Sequence, residues 1–458
     1  MLDFPTTLSA VVKPAPALSR EEREREIERA GYNPFKIDAR TVSVDFLSDS
    51  GTGALSTAQR AAAEQADESY ACSSSWYRFE ESVRDLVPYQ HVFPVHQGRA
   101  AERVLFSSLL SPGQISISNT HFDTTRANVE IAGGRALDLP CPASSDLDSD
   151  FPFKGDIDLS ALERTLSGPE GSKVGIVLMT ITNNGLGGQP VSLANMTAAA
   201  EIARRHGVPF WLDAARFAEN AWLITRREPG YSHWDPRDVA RREFALADGC
   251  MISLKKDGLG HAGGLLAMRD DALAERCKAL VIAGEGFVTY GGISGRDLEV
   301  VAQGLREVTD PQHLAGRESA AALLAELSHQ AGVSTVRPSG MHAIYLNAGR
   351  LLTHLTPAEF PGHALACELY RRGGIRAAEL GSLYLGELDD DLRLREPAPF
   401  ELVRLAIPRR SYDETHLRFV GSVLDSIAKD PEQVPGYRLT EAPPLLRHFD
   451  CRLKPLRN

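Results

Sequence analysis

Short apolar runs recur along the middle of the chain, each followed by a stretch with helical spacing. Gln114 to Ser118 alternates apolar and polar positions, as a strand does. Asp123 to Ala132 reads as a helix ending at Gly133-Gly134, and Arg135 to Leu139 as the next strand. Val174 to Thr182 is a continuous apolar run, the pattern of a parallel strand buried on both faces. Ser192 is placed to cap a helix from Leu193 to His206, with Gly207 just beyond its end. Apolar runs ending at Asp213 and at Lys255-Lys256 supply two more strands, and Ala262 to Met268 another. Repeated strand–helix units predict an α/β class with a mostly parallel large-domain sheet. Ligands of such a sheet bind outside the carboxyl ends of its strands. Asn184, Asp213 and Lys256 all fall at such ends.

The flanks follow a different pattern. Ser19 to Gly31 is a charged helix whose composition predicts a solvated face. Beyond about residue 310 the pattern becomes α+β, with a helix from Glu318 to Ala331 and a strand from Ala343 to Asn347. A helix from His363 to Arg372 and a strand from Leu402 to Ile407 follow. This predicts a large domain over 51–310 and a smaller α+β domain from 311–458, with 1–50 as an N-terminal arm contributing to it.

Composition narrows the class. A chain of 458 residues with 43% hydrophobic content buries a sizeable core. A net charge of −11 argues against nucleic acid as the main partner. No apolar run approaches the roughly 18 residues of a membrane helix, and the N-terminus lacks a signal-peptide pattern. Six cysteines without CxxC spacing indicate neither a zinc site nor a disulfide framework. A cytoplasmic enzyme is expected.

The candidate chemistry sits at the strand ends. A lysine after a buried strand loses proton affinity and becomes a nucleophilic amine, suited to a Schiff base with an aldehyde such as pyridoxal phosphate. Lys256 is that lysine, although a solvated Lys pair capping a strand has the same local sequence. Asp213 ends the Val208-Pro-Phe-Trp-Leu-Asp213 run, where it serves as a helix cap or as the partner of a pyridinium nitrogen. Arg216 follows within reach of a phenolic oxygen. Gln97-Gly98-Arg99 opens a helix, offering free amides and a cation to a phosphate. Each element alone is common; their order along successive strand–helix units is far more specific.

Phe122-Asp-Thr-Thr125, Gly187-Gly-Gln-Pro-Val-Ser-Leu-Ala-Asn195, Asp213-Ala-Ala-Arg-Phe-Ala-Glu-Asn220, Lys255-Lys-Asp257 and Glu285-Gly-Phe287 carry a resemblance. From about Pro34 to Leu453 the chain resembles the aromatic amino-acid β-eliminating lyases, whose members cleave tryptophan or tyrosine. The resemblance implies the aspartate-aminotransferase-like fold type I, pyridoxal phosphate, a monovalent cation (usually K+) and a homotetramer acting on a small-molecule amino acid. Position by position, it implies that Lys256 is the Schiff-base lysine, Asp213 the pyridinium partner and Arg216 the neighbour of the phenolic oxygen. Gln97, Gly98, Arg99, Ser253 and Ser50 would hold the phosphate, and Phe122 would cover the ring. Asn184 and Arg404 would hold the substrate carboxylate, with Ser48 beside them. Tyr70 would be a general acid near the leaving group, with Lys255 as polar support. Glu68 with carbonyls around Gly51 and His261 would bind the cation, His261 being a departure from the family pattern.

Three positions favour the tryptophan-cleaving branch. Leu380, in Ala378-Glu-Leu380-Gly381, stands where tyrosine-cleaving members carry an arginine for the phenol. Asp123 follows the ring-covering Phe122, where it could accept an indole N–H. His448 and Phe449 lie in Leu446-Arg-His448-Phe449, which resembles the C-terminus of that branch. Cys72 and Ser73-Ser-Ser-Trp76 depart from the pattern near Tyr70. The expected reaction is β-elimination of L-tryptophan to indole, pyruvate and ammonium. The alternatives are phenol release from tyrosine, another carbon–carbon or carbon–sulfur β-lyase, an aminotransferase or aldolase of the same fold, and a non-catalytic scaffold.

Overall fold

The strongest apolar runs assemble into one seven-stranded sheet. From edge to edge its strands are His91–Val95, Gly264–Met268, Gly249–Ser253, Phe210–Asp213, Val174–Thr180, Ile115–Ser118 and Arg135–Asp138. The computed structural model describes residues 14–444 and 446–456. Contacts divide the chain into two units: Ser50–Gly316, which holds this sheet, and the chain up to Asp49 together with that from Arg317 onward.

From Gly249–Ser253 across to Arg135–Asp138 every neighbouring pair is parallel. Thr180 therefore stands beside Asp213, and Asp213 beside Met251. Gly264–Met268 is the exception, running antiparallel to both neighbours. It follows Gly249–Ser253 through a turn too short for the helical crossover that parallel strands require. The lysines lie in that turn rather than on the strand, which stops at Ser253.

The Val174–Thr180 strand is buried at nearly every position, as its continuous apolar sequence requires. Leu178, Trp211, Met251 and Leu266 of the sheet pack with Val104, Leu105 and Phe106 of the Gly98–Leu109 helix. Ser192 caps the Leu193–Arg205 helix by accepting a hydrogen bond from the Asn195 amide at 3.1 Å. Gly207 follows that helix with φ +68°, a conformation that glycine adopts without steric cost.

In the other unit Leu402–Ala406 is the central strand of an antiparallel sheet, between Ala378–Leu380 and Ala343–Asn347. The helix expected from His363 starts at Pro361, because proline is well suited to the first helical position. The N-terminal charged helix, Arg20–Arg29, departs from its expected solvated role. Its Ile27 is buried, Arg23 donates to the carbonyls of Arg371 and Arg372, and Glu24 pairs with Arg371. These contacts tie it to the carboxyl end of the Pro361–Gly373 helix, where cations meet unpaired carbonyls.

Candidate active site

One cavity at the carboxyl ends of the parallel strands collects most of the residues singled out in the large unit. Ser50, Gln97, Gly98, Arg99, Phe122, Asn184, Asp213, Arg216, Ser253, Lys255 and Lys256 line it together. Among the lining residues that the sequence did not single out are Glu102, Thr180 and Thr182.

Lys256 is presented by a turn with two anchors. Its amide donates to the Ser253 carbonyl at 3.2 Å, and its carbonyl accepts from the Leu259 amide at 2.9 Å. Next in the chain, fully buried Asp257 accepts from the amides of Ala218 and Glu219 at 2.8 and 3.3 Å. The Asp257 amide donates in turn to the Ala215 carbonyl at 3.3 Å. Asp257 thereby clamps the lysine turn to the start of the Phe217–Arg227 helix, four residues beyond Asp213. The Lys256 Nζ lies 5.5 Å from the centre of the Phe122 ring, within cation–π range. Burial and the charge of Arg99 lower the proton affinity of neighbouring Lys255.

Asp213 is buried and lines the same cavity. Burial raises its proton affinity, while Lys256, the Ala215 amide and Arg216 oppose that rise. A further cation beside this carboxyl favours its ionised form, and a protonated ring nitrogen would be such a cation. At the phosphate end, Gln97 precedes the Gly98–Leu109 helix without a side-chain cap, so first-turn amides are available to an anion. A β-carbon on Gly98 would come within 2.8 Å of the Ser253 side chain, so only glycine permits this approach of turn to strand. Buried carboxyl, amine and anion-binding helix end thus fit pyridoxal phosphate at three points.

Other candidates lie elsewhere. Tyr70 is 71% exposed and packs on Phe287 and Tyr290, with ring centres 6.0 and 5.3 Å away. With Glu68 it lines a second pocket of the large unit, not the one holding Lys256. Glu68 accepts from the amides of Gly295 and Arg296 at 2.8 and 3.3 Å. The Cα of Gly51 faces the His261 carbonyl, while the His261 Nε2 contacts the Gly53 carbonyl. Asp123 opens the Asp123–Ile131 helix and accepts from the Thr124 amide at 2.6 Å. It does not line the Lys256 cavity, which its neighbours Phe122 and Thr124 do.

In the small unit, Arg404 sits on the central strand. Its Nη2 donates to the Leu47 carbonyl at 3.1 Å, next to Ser48. Leu380 is buried and pairs with Leu402 across the sheet. His448 and Phe449 form an aromatic cluster with Phe35, and Tyr384 meets His448 edge-on at 4.3 Å.

Sequence reasoning passed over two buried groups of the large unit. His121 bonds Asp138 through Nδ1 at 2.6 Å and Ser116 through Nε2 at 2.8 Å. Glu102 was detectable only as a carboxylate flanked by Ala100, Ala101, Val104 and Leu105 on an apolar helix face.

Comparison with known proteins matches this arrangement to one family. The model of the β-eliminating lyases covers residues 45–422. The tryptophanase of Hyphomonas neptunium is 47% identical over 445 residues, 97% of each chain. That of Salinibacter ruber is 48% identical over 444 residues, 97% of this chain and 94% of the other. Among solved structures, threonine aldolase of Leishmania major shares the fold with a TM-score of 0.58 at 16% identity, covering 84% of this chain and 99% of its own. A family match through both the Asp213 strand and the Lys256 turn, and full-length relatives near half identity, place this chain in the β-eliminating lyase family.

Proposed function

We propose that the chain catalyses β-elimination of L-tryptophan to indole, pyruvate and ammonium, with pyridoxal phosphate carried on Lys256. The observation carrying this reading is the single cavity shared by the Lys256 amine, the buried Asp213 carboxyl and the uncapped helix start at Gly98-Arg99. When bound, the cofactor supplies an electron sink for the charge that develops at the substrate Cα. Lys256 would move the Cα proton of the bound substrate. Asp213 would hold the proton at the ring nitrogen, Arg216 would neighbour the phenolic oxygen, and Asn184 would help hold the substrate carboxylate. Phe122 covers the ring. Gln97, Gly98, Arg99, Ser253 and Ser50 hold the phosphate.

Arg404 and Ser48 recognise the substrate carboxylate, a task suited to a guanidinium fork whose Nη2 is already oriented by the Leu47 carbonyl. Tyr70 protonates the indole carbon that leaves. Its exposure and its separation from the Lys256 cavity support a homo-oligomer, a homotetramer by family analogy, in which a second copy supplies the tyrosine. Glu68 and the carbonyls of Gly51 and His261 hold a potassium ion. All six cysteines are free, in keeping with a reducing cytoplasm. Among the described residues no helix is long and apolar enough to cross a membrane.

Leaving-group choice rests on Leu380, Asp123, His448 and Phe449. Leu380 gives a phenolate no cation, and a carboxylate at Asp123 repels one. Indole leaves neutral and donates an N–H, which the same carboxylate accepts. Purified protein loaded with pyridoxal phosphate is therefore expected to release indole and pyruvate from L-tryptophan and little phenol from L-tyrosine. Asp123→Ala is expected to slow tryptophan far more than an S-alkylcysteine, whose thiolate leaves unaided. Efficient phenol release by the wild type would overturn the tryptophan reading.

A further inference from the structure

Glu102 has no part in the chemistry described so far, yet it lines the Lys256 cavity. It lies four residues past Gly98 on the helix that offers its first turn to the phosphate. Its Oε1 accepts from the hydroxyls of Thr124 and Thr125 at 3.1 and 3.0 Å, and its Oε2 from the Asn128 amide at 3.1 Å. The orientation of that amide is fixed independently, because the Asn128 Nδ2 also donates to the Thr124 carbonyl at 2.8 Å.

All three donors belong to the first turns of the Asp123–Ile131 helix. That helix begins at Phe122 with no side-chain cap on the N-cap residue. Its start is held across to the neighbouring helix by this carboxyl. Thr124, Thr125 and Glu102 are all buried, so no water replaces a lost partner cheaply.

We infer that Glu102 is a positioning residue: it fastens the Phe122–Asn128 segment to the phosphate-binding helix and so sets Phe122 over the cofactor ring. The inference rests on the cofactor reading above. It assigns Glu102 no contact with the reacting atoms. A glutamine can do the same work, since its Oε1 can face Asn128 while its Nε2 donates to the two threonine hydroxyls, which turn to accept. An alanine cannot.

The test measures two quantities in holoenzyme and in protein stripped of cofactor. One is the dissociation constant for pyridoxal phosphate, from the visible absorption band. The other is hydrogen exchange of the amides from Phe122 to Asn128. Glu102→Ala is expected to weaken cofactor binding by about tenfold or more, the scale of losing hydrogen bonds to a buried carboxyl, and to speed exchange of that segment. Glu102→Gln is expected to bring both back to within about threefold of wild type. Thr124→Val with Thr125→Val, which leaves Glu102 in place, is expected to reproduce the alanine result and serves if Glu102→Ala does not fold. Unchanged exchange and affinity in Glu102→Ala, or a glutamine no better than the alanine, overturns the inference. A wild type that binds no pyridoxal phosphate overturns the proposed function instead, and the exchange data still decide whether Glu102 holds the turn.

Discussion

At the scale of single residues, Asp213 shows how burial makes a carboxyl depend on the charges around it. Burial drives the carboxyl towards its protonated form, and the nearby Lys256, Ala215 amide and Arg216 only partly oppose this. In the proposed function a protonated ring nitrogen would add a further cation, and the carboxylate would in return keep that nitrogen protonated. Asparagine has the same shape and no charge. Asp213→Asn is therefore expected to keep the fold and to slow exchange of the substrate Cα proton with deuterated solvent by about two orders of magnitude, the scale of losing a well-placed electrostatic partner. An unchanged exchange rate would reduce Asp213 to a structural cap. Asp213, Lys256 and Gln97-Gly98-Arg99 were legible in the sequence because each ends an apolar run or opens a helix, so position alone marked them. Glu102 was not, because a glutamate inside a helix reads as surface charge until the facing helix is known. Its burial depends on Thr124, Thr125 and Asn128, which no local pattern links to it.

At the scale of elements, the parallel strands and the helices between them were legible from periodicity, and the antiparallel return of Gly264–Met268 was not. Apolar runs of equal length do not state their direction; only the turn between Ser253 and Gly264 does. Helix starts carry a second lesson in the Leu193–Arg205 helix. Its cap, Ser192, donates its hydroxyl to Asp156 at 3.1 Å and its amide to the same carboxyl at 2.7 Å. Burial, against those two hydrogen bonds, pushes Asp156 up to about 7 from an ordinary value of 3.8. The folded chain thus holds this proton more tightly than the unfolded chain. The resulting stabilisation is complete below the unfolded value and is lost as pH rises through the folded one, between about 4 and about 7. Asp156→Asn preserves the hydrogen-bonding shape and removes the titration. Relative to that variant, the wild type is expected to lose stability on going from pH 5 to pH 7, by up to about 1.4 kcal/mol per unit. Thermal or urea unfolding at several pH values checks this. A stability difference that stays flat with pH would mean that Asp156 titrates alike in both states.

At the scale of the whole molecule, one chain does not bring every expected group to one place. The cavity holding Lys256 contains the uncapped helix start at Gly98-Arg99 and the Asp213 carboxyl, while Tyr70 stands exposed on an aromatic platform of Phe287 and Tyr290. Exposed Tyr77 lies seven residues further along the same chain. A general acid must come within hydrogen-bond reach of the atom it protonates. If Tyr70 works on the cavity of another copy, the catalytic unit is an oligomer, and two defective chains can repair each other. Lys256→Ala keeps the tyrosine and lacks the amine; Tyr70→Phe keeps the amine and lacks the acid. Each alone is expected to release almost no indole. Co-expressed in equal amounts and purified together without sorting, they are expected to regain about a quarter of wild-type turnover, because half of random pairs are mixed and each mixed pair assembles one intact site of two. Mixed oligomers as inactive as their parents would place Tyr70 and Lys256 of one chain in the same site. Full activity of Tyr70→Phe by itself would take the tyrosine out of the reaction and leave the protonation of the leaving carbon to another group.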